Sequence, residues 1–267
     1  MKNIVFIGAG NMAYAILGGL IAKGAAPSQF RAVDPSEHAA QNMAELGIAC
    51  TPQWPEAFQA EVVVLAVKPQ QMEAVLRSHA AHLGQALLVS IAAGVGVEQV
   101  RTWSGQPQAR VVRCMPNTPA LVGQGMAGLY FTANCAAEDQ AFARQVFESC
   151  GEVIQVNREE DINAVTAISG SGPGYVFFLM ESLAAAARQL GFAPEQANLL
   201  VQQTFLGAAT LAKQSSDSFA TLREKVTSKG GTTQAGLEQL HASGVHTAIE
   251  QAARAACARA EELQRGG

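Results

Sequence analysis

The chain has 267 residues, 49% of them hydrophobic and 15% charged, and a net charge of −4. That is ample apolar material for sizeable cores and excludes a disordered chain, while scattered Lys and Arg residues leave no basic patch for nucleic acid. The most apolar helical stretch, Tyr175 to Ala187, is too short for the roughly 20 residues of a membrane span, so no membrane partner is expected.

The chain opens on Lys2 to Ile7, a short apolar run of the kind that forms a buried parallel strand, followed at once by Gly8-Ala9-Gly10-Asn11-Met12-Ala13 and a run of helix formers to about Gly24. Strand, glycine turn and helix together suit a dinucleotide. Gly8 takes the tight turn, Gly10 lets backbone N–H groups approach a pyrophosphate at the helix N-terminus, and Ala13 permits close packing on the strand. The same turn also serves plain βαβ packing. Its context favours nucleotide binding, because Phe30 to Asp34 reads as a second strand ending on an acid.

A helix over 37–47 follows, then the strand-like run Glu61 to Val67, stopped by Lys68-Pro69, and a helix over 70–82. Ala66, Val67 and Lys68 thus stand at a strand's carboxyl end, where open α/β sheets bind ligands. Ala86 to Ile91 repeats the device and ends in Ala92-Ala93-Gly94, residues small enough to admit a flat ring or simply to pack tightly. Arg110 to Cys114 leads into the rigid segment Met115-Pro116-Asn117-Thr118-Pro119, which suits the wall of a site. Strands at 126–131 and 152–156 around a helix at 138–149 complete a first domain, residues 1–156.

From Asp161 onward Ala, Leu, Gln and Glu dominate at helical spacing, with helices expected near 161–168, 173–190, 194–213, 218–227, 232–243 and 246–264. The fold class is therefore α/β: an N-terminal Rossmann-type dinucleotide-binding domain followed by an all-α domain, residues 157–267. Tyr175 to Ala187 is apolar nearly all round and is expected to be buried on all sides. So small a helical domain does not easily enclose it alone, which points to a homodimer; a helix central to a monomeric bundle is the alternative.

Five cysteines (Cys50, Cys114, Cys135, Cys150, Cys257) include no CxxC pair, and none has a histidine at ligand spacing. They read as reduced, mostly buried thiols, giving a cytoplasmic location and no metal site. His79 and His82 share a helix face without a third ligand and are expected to be solvated.

Between two predicted helices lies Val226-Thr227-Ser228-Lys229-Gly230-Gly231-Thr232-Thr233-Gln234. Paired glycines among hydroxyl residues at a helix start offer several N–H and O–H donors to a carboxylate or phosphate, with Arg223, Lys225 and Lys229 adding positive potential. Thr232 or Thr233 as a mere N-cap is the alternative.

With these segments on view, the chain resembles the pyrroline-5-carboxylate reductases over essentially its whole length. The resemblance is carried by Ile7-Gly8-Ala9-Gly10-Asn11-Met12, Val67-Lys68-Pro69-Gln70, Met115 to Ala120, Ser169-Gly170-Ser171-Gly172-Pro173 and, most specifically, Ser228 to Thr233. It implies hydride transfer from the C4 of NADPH or NADH to the imine carbon of pyrroline-5-carboxylate, giving L-proline, the last step of proline biosynthesis. It further implies that Ser228, Gly230, Gly231 and Thr232 hold the substrate carboxylate, and that Thr233 hydrogen-bonds the ring nitrogen as the catalytic residue. For the cofactor it implies Gly8, Ala9, Gly10, Asn11 and Met12 on the pyrophosphate. Ala66, Val67, Lys68 and Pro69 would line the ribose, and Ala92, Ala93, Gly94, Pro116 and Asn117 the nicotinamide. A homodimer with interleaved helical domains, with the substrate loop of one subunit facing the nicotinamide of the other, and a larger ring of dimers complete what the resemblance implies.

Three positions depart from the family pattern. Lys229 replaces a proline, Gly174 an alanine, and Asp34 stands where many relatives carry a hydroxyl or amide residue. An acid there grips ribose hydroxyls and repels a 2′-phosphate, favouring NADH, whereas the resemblance favours NADPH; Ser36 with Arg31 would compensate, so use of both cofactors is expected. A β-hydroxyacid dehydrogenase would need a lysine early in the second domain, and none lies between Glu160 and Ala212. A non-catalytic nucleotide sensor would keep Gly8 and Gly10 without needing the Ser228 to Thr233 loop.

Overall fold

Every residue of β1 (Ile4–Ile7) is buried because the strand lies mid-sheet with both faces covered. Ile4 and Phe6 enter one core with Ile16, Leu17 and Leu20 of helix α1 (Asn11–Ala22). Val5 and Ile7 enter a second core with Met72 and Leu76 of helix α3 (Met72–Leu83), α2 being Glu37–Glu45. That two-sided burial accounts for a continuous apolar run instead of an alternating one.

The computed structural model describes residues 2–266. Its single eight-stranded sheet has the order β3-β2-β1-β4-β5-β6-β7-β8. The remaining strands are β2 (Phe30–Val33), β3 (Ala49–Thr51), β4 (Val62–Leu65), β5 (Leu87–Ser90), β6 (Val111–Met115), β7 (Gly125–Phe131) and β8 (Gly151–Gln155). All neighbours pair in parallel except β6 with β7. The carboxyl ends of β1 to β6 consequently share one edge of the sheet. Helices α4 (Val97–Ser104) and α5 (Ala137–Phe147) complete the cover.

Two elements escape the sequence reading. Strand β3 is three residues with no apolar run, and α4 is eight residues between glycines; both are held by neighbours more than by their own pattern. His79 and His82 are not simply solvated. His82 stacks on the buried Trp54 ring with centroids 5.3 Å apart and planes 10° apart, and His79 packs against both rings.

The helical part comprises α6 (Asp161–Val165), a π turn over Thr166–Gly170, α7 (Gly172–Gln189), α8 (Pro194–Gln214), α9 (Phe219–Lys225), α10 (Thr232–Ala242) and α11 (Val245–Gln264). Two compact units result. One contains the sheet, the chain through Ser171 and the residues from Ala255 onward; the other is Gly172–Arg254.

A single chain leaves Tyr175 to Ala187 largely uncovered, as the expectation of a second subunit requires. Ala184 is the buried residue of α7, while Phe177 and Phe178 are 64% and 66% exposed. Its apolar faces lack a covering surface in one chain, which is the condition a second subunit resolves.

Candidate active site

The strand order reverses between β1 and β4, the switch point at which open α/β sheets take ligands. Gly8 follows β1 at φ +94°, and a Cβ there would lie 2.6 Å from the Ala66 carbonyl oxygen. Only glycine lets the β1 turn pass so close to the end of β4. Gly10 is different: nothing lies within 4 Å of the position its Cβ would take. As N-cap of α1 it offers no side-chain acceptor to the first-turn N–H groups, and no acid stands in that turn. Open space over unclaimed N–H donors fits a dinucleotide pyrophosphate. Asn11 is exposed beside it, and Met12 is half-buried against the core.

The buried Ala9 donates its N–H to Asp34 Oδ2 at 2.9 Å, and Ser36 donates its own to Asp34 Oδ1 at 2.9 Å. The acid is thereby tied to both the glycine turn and the start of α2, while the Ser36 hydroxyl caps α2 by accepting the Ala39 N–H at 3.3 Å. Arg31 is directed elsewhere. Its guanidinium donates to the Ser28 and Phe30 carbonyls and lies over the Phe58 ring, 4.6 Å from its centroid.

Ala66 donates its N–H to Ile7 O at 2.7 Å, and the exposed Lys68 precedes a short 3-10 turn begun by Pro69, with Val67 half-buried before it. Ala92, Ala93 and Gly94 follow β5, and Pro116 and Asn117 follow β6. The Asn117 amide is already engaged: Nδ2 donates to Ser169 O at 3.0 Å and Oδ1 accepts from Met126 N–H at 2.8 Å. It anchors the π turn to the end of β6.

In the second unit, the segment between α9 and α10 forms a tight exposed loop. Gly231 donates to Ser228 O at 3.0 Å, and Gly230, at φ +72°, donates to Gln234 Oε1 at 2.7 Å. Gln234 escaped the sequence reading, although a Gln three residues after an N-cap is half of a capping-box signal. Gly231 caps α10 without a side-chain bond, and no acid stands in the first turn. The Thr232 and Thr233 N–H groups and hydroxyls, with the Ser228 hydroxyl, are therefore grouped at the positive end of an 11-residue helix, which suits a small carboxylate. Lys225 is bound to Asp217, so of the cations named above Lys229 stands within the loop itself.

A glycine fingerprint at a sheet switch point, in a chain that continues into a helical unit, defines an NAD(P)H-dependent oxidoreductase. Residues 3–94 match the family model described as NADP oxidoreductase coenzyme F420-dependent, and residues 159–263 that of pyrroline-5-carboxylate reductase dimerisation. The latter match makes the helical segment a dimerisation element. The chain is 46% identical to the pyrroline-5-carboxylate reductase of Pseudomonas aeruginosa, covering 98% of this chain and 96% of that one. A structure of the Coxiella burnetii pyrroline-5-carboxylate reductase superposes with a TM-score of 0.91 at 39% identity, covering 98% of both chains. That of the Plasmodium falciparum reductase with NADP bound superposes with 0.87 at 28% identity, again over 98% of both. The chain belongs to the pyrroline-5-carboxylate reductase family.

Proposed function

We propose that the protein reduces pyrroline-5-carboxylate to L-proline with NADPH or NADH, the last step of proline biosynthesis. The observation that carries this reading is the start of α10, where no side chain caps the helix and Ser228, Thr232 and Thr233 stand around the Gly230–Gly231 turn, in a chain otherwise built to hold a dinucleotide. Residues 1–156 serve the nucleotide, and 157–267 serve dimerisation and the substrate.

The nicotinamide supplies the hydride. The chain's own task is to hold two ring carbons near contact distance and keep the imine nitrogen polarised. Ser228 and Thr232 hold the carboxylate with hydroxyl and N–H donors over the turn formed by Gly230 and Gly231, whose own N–H groups shape the loop; Thr233 directs its hydroxyl to the ring nitrogen. Gly8, Ala9, Gly10, Asn11 and Met12 lie along the pyrophosphate. Asp34 and Ser36 meet the adenosine ribose, Ala66 to Pro69 the adjoining ribose, and Ala92 to Gly94 with Pro116 and Asn117 the nicotinamide. Asp34 does not exclude NADPH, because both its oxygens already accept backbone N–H groups that offset its charge.

The helical domains of two subunits interleave, covering the exposed faces of α7, and dimers build a larger ring. A cytoplasmic location is supported by five cysteines that are all free. Oxidation of either reduced cofactor with pyrroline-5-carboxylate, with proline as product, tests the activity. Thr233→Ala should then cost about 10²-fold in kcat/KM with cofactor affinity retained, as removal of a polarising group does. Cofactor binding without turnover of the imine would leave the nucleotide sensor as the surviving reading.

A further inference from the structure

A deeply buried ionic group outside the sites above is Arg113 on β6, 2% exposed, whose Nη1 donates to Glu159 Oε1 at 2.9 Å. The same carboxylate oxygen accepts the Val97 N–H at 2.8 Å, at the start of α4, and Gln264 Nε2 at 3.5 Å, at the end of α11. Gln264 Oε1 in turn accepts from Asn163 Nδ2 at 3.0 Å. One carboxylate thus joins β6, the beginning of α4 and the last turn of the chain's final helix.

That last turn lies directly against the loop between β5 and α4. A Cβ on Gly94, at φ +72°, would lie 2.6 Å from Leu263 Cβ, and one on Gly96 would lie 3.3 Å from Glu159 Oε1 and 3.4 Å from Gln264 Nε2. Ala92, Gly94, Val95, Gly96 and Val97 are all buried. Val95 anchors the loop in the core, but the alanines and glycines around it have no long side chains to fix their backbone, and glycine carries the largest conformational freedom to be lost. The rest of the fixing comes from outside the loop, by Leu263 packing on Gly94 and by Glu159 with Gln264 gripping its far end.

The dinucleotide crosses the sheet at the switch point. Asp34 at the end of β2 marks the adenosine side, so the nicotinamide half extends over β4 and β5. We infer that Leu263 and Gln264 are positioning residues, which fix the Ala92–Gly96 loop through Gly94 and Glu159 so that it receives the nicotinamide half of the cofactor. The inference rests on the placement of that half beside Ala92 to Gly94. No contact between Leu263 or Gln264 and the cofactor is required.

The test uses the full-length Leu263→Ala/Gln264→Ala double variant, with Gln264→Ala alone as the milder form should the double variant fail to fold. Affinities are measured for NADH and for ADP-ribose, which carries the adenosine half and pyrophosphate but no nicotinamide ring, alongside the melting temperature. NADH affinity should fall about tenfold while ADP-ribose affinity stays within about twofold, because only the nicotinamide half loses a preformed wall. Equal losses for both ligands, or no loss for either, would overturn the inference, the first exposing a general structural role and the second no role. If the wild-type protein binds ADP-ribose as tightly as NADH, the placement of the nicotinamide half fails first and the inference falls with it.

Discussion

The Ala9 N–H and the Asp34 carboxylate are 2.9 Å apart, a bond spanning 25 residues that ties the end of β2 to the glycine turn after β1. Asp34 therefore shapes the turn, and in the proposed binding mode it also sets the charge that a ribose or a 2′-phosphate meets. Asp34→Asn keeps one acceptor for the Ala9 N–H and removes the charge. The kcat/KM ratio of NADPH to NADH should rise at least about tenfold, or roughly 1.4 kcal/mol, with little change in melting temperature. Asp34→Ala should show the same shift in ratio and in addition lose about 1–3 kcal/mol of stability, since two backbone donors lose a charged acceptor. An unchanged ratio in both variants would mean that the acid acts on the turn alone.

Gly8 and Gly10 stand two residues apart in one motif and should fail in different ways. Gly8→Ala sets a Cβ against the Ala66 carbonyl in a backbone region that L side chains avoid, so it should cost about 1–3 kcal/mol of stability or more. Gly10, at φ −75° over open space, accepts alanine in the free protein. Gly10→Ala should leave thermal stability within about 0.5 kcal/mol and weaken dinucleotide binding tenfold or more, about 1.4 kcal/mol, because the methyl occupies the approach to the pyrophosphate. Calorimetry and cofactor titration of the two variants separate the roles.

That contrast marks how far the sequence is legible. Glycine spacing gives the nucleotide turn and apolar runs give the central strands, since both follow from local backbone limits and two-sided burial. Strand β3 and helix α4 escape because their order is imposed by neighbours; the first pairs along β2, and the second begins where Glu159, 62 residues away, accepts the Val97 N–H. In the loop between α9 and α10 the glycines and hydroxyls are legible, whereas Gln234 as partner of Gly230 is a fact of side-chain direction. The apolar character of α7 is legible too, but the sequence does not say whether the cover is the same chain or another, and a single chain leaves Phe177 and Phe178 bare.

Those two phenylalanines make the dimer testable. Burying a phenylalanine is worth about 1.5–3 kcal/mol, and burying an unpaired carboxylate in its place costs more. Phe178→Glu should therefore give a monomer by sedimentation and lose at least about 10²-fold in turnover of the imine, while still binding NADH, because the glycine fingerprint lies in the other unit. A variant that stays dimeric at full activity would place the interface on a different face of the helical unit.

A final prediction concerns pH, through the packing of His79 and His82 around Trp54. Burial pushes the His79 imidazole below its ordinary value, and the neighbouring His82 adds to the effect; Glu56, 3.7 Å from His82 Nδ1, is the carboxylate facing the pair. A histidine kept neutral in the folded protein binds fewer protons there than when unfolded, in the range between its lowered value and about 6.5. Stability must accordingly rise with pH through that window, being complete above it and diminished below. His79 is only partly enclosed, so the effect is modest, and His79→Gln should shrink the drop in melting temperature between about pH 8 and about pH 5 by a few degrees at most. If the variant shows the same drop as the wild type, the acid sensitivity lies in the carboxylates and not in this aromatic cluster; if it shows a larger one, protonation of His79 instead strengthens the cluster through Glu56.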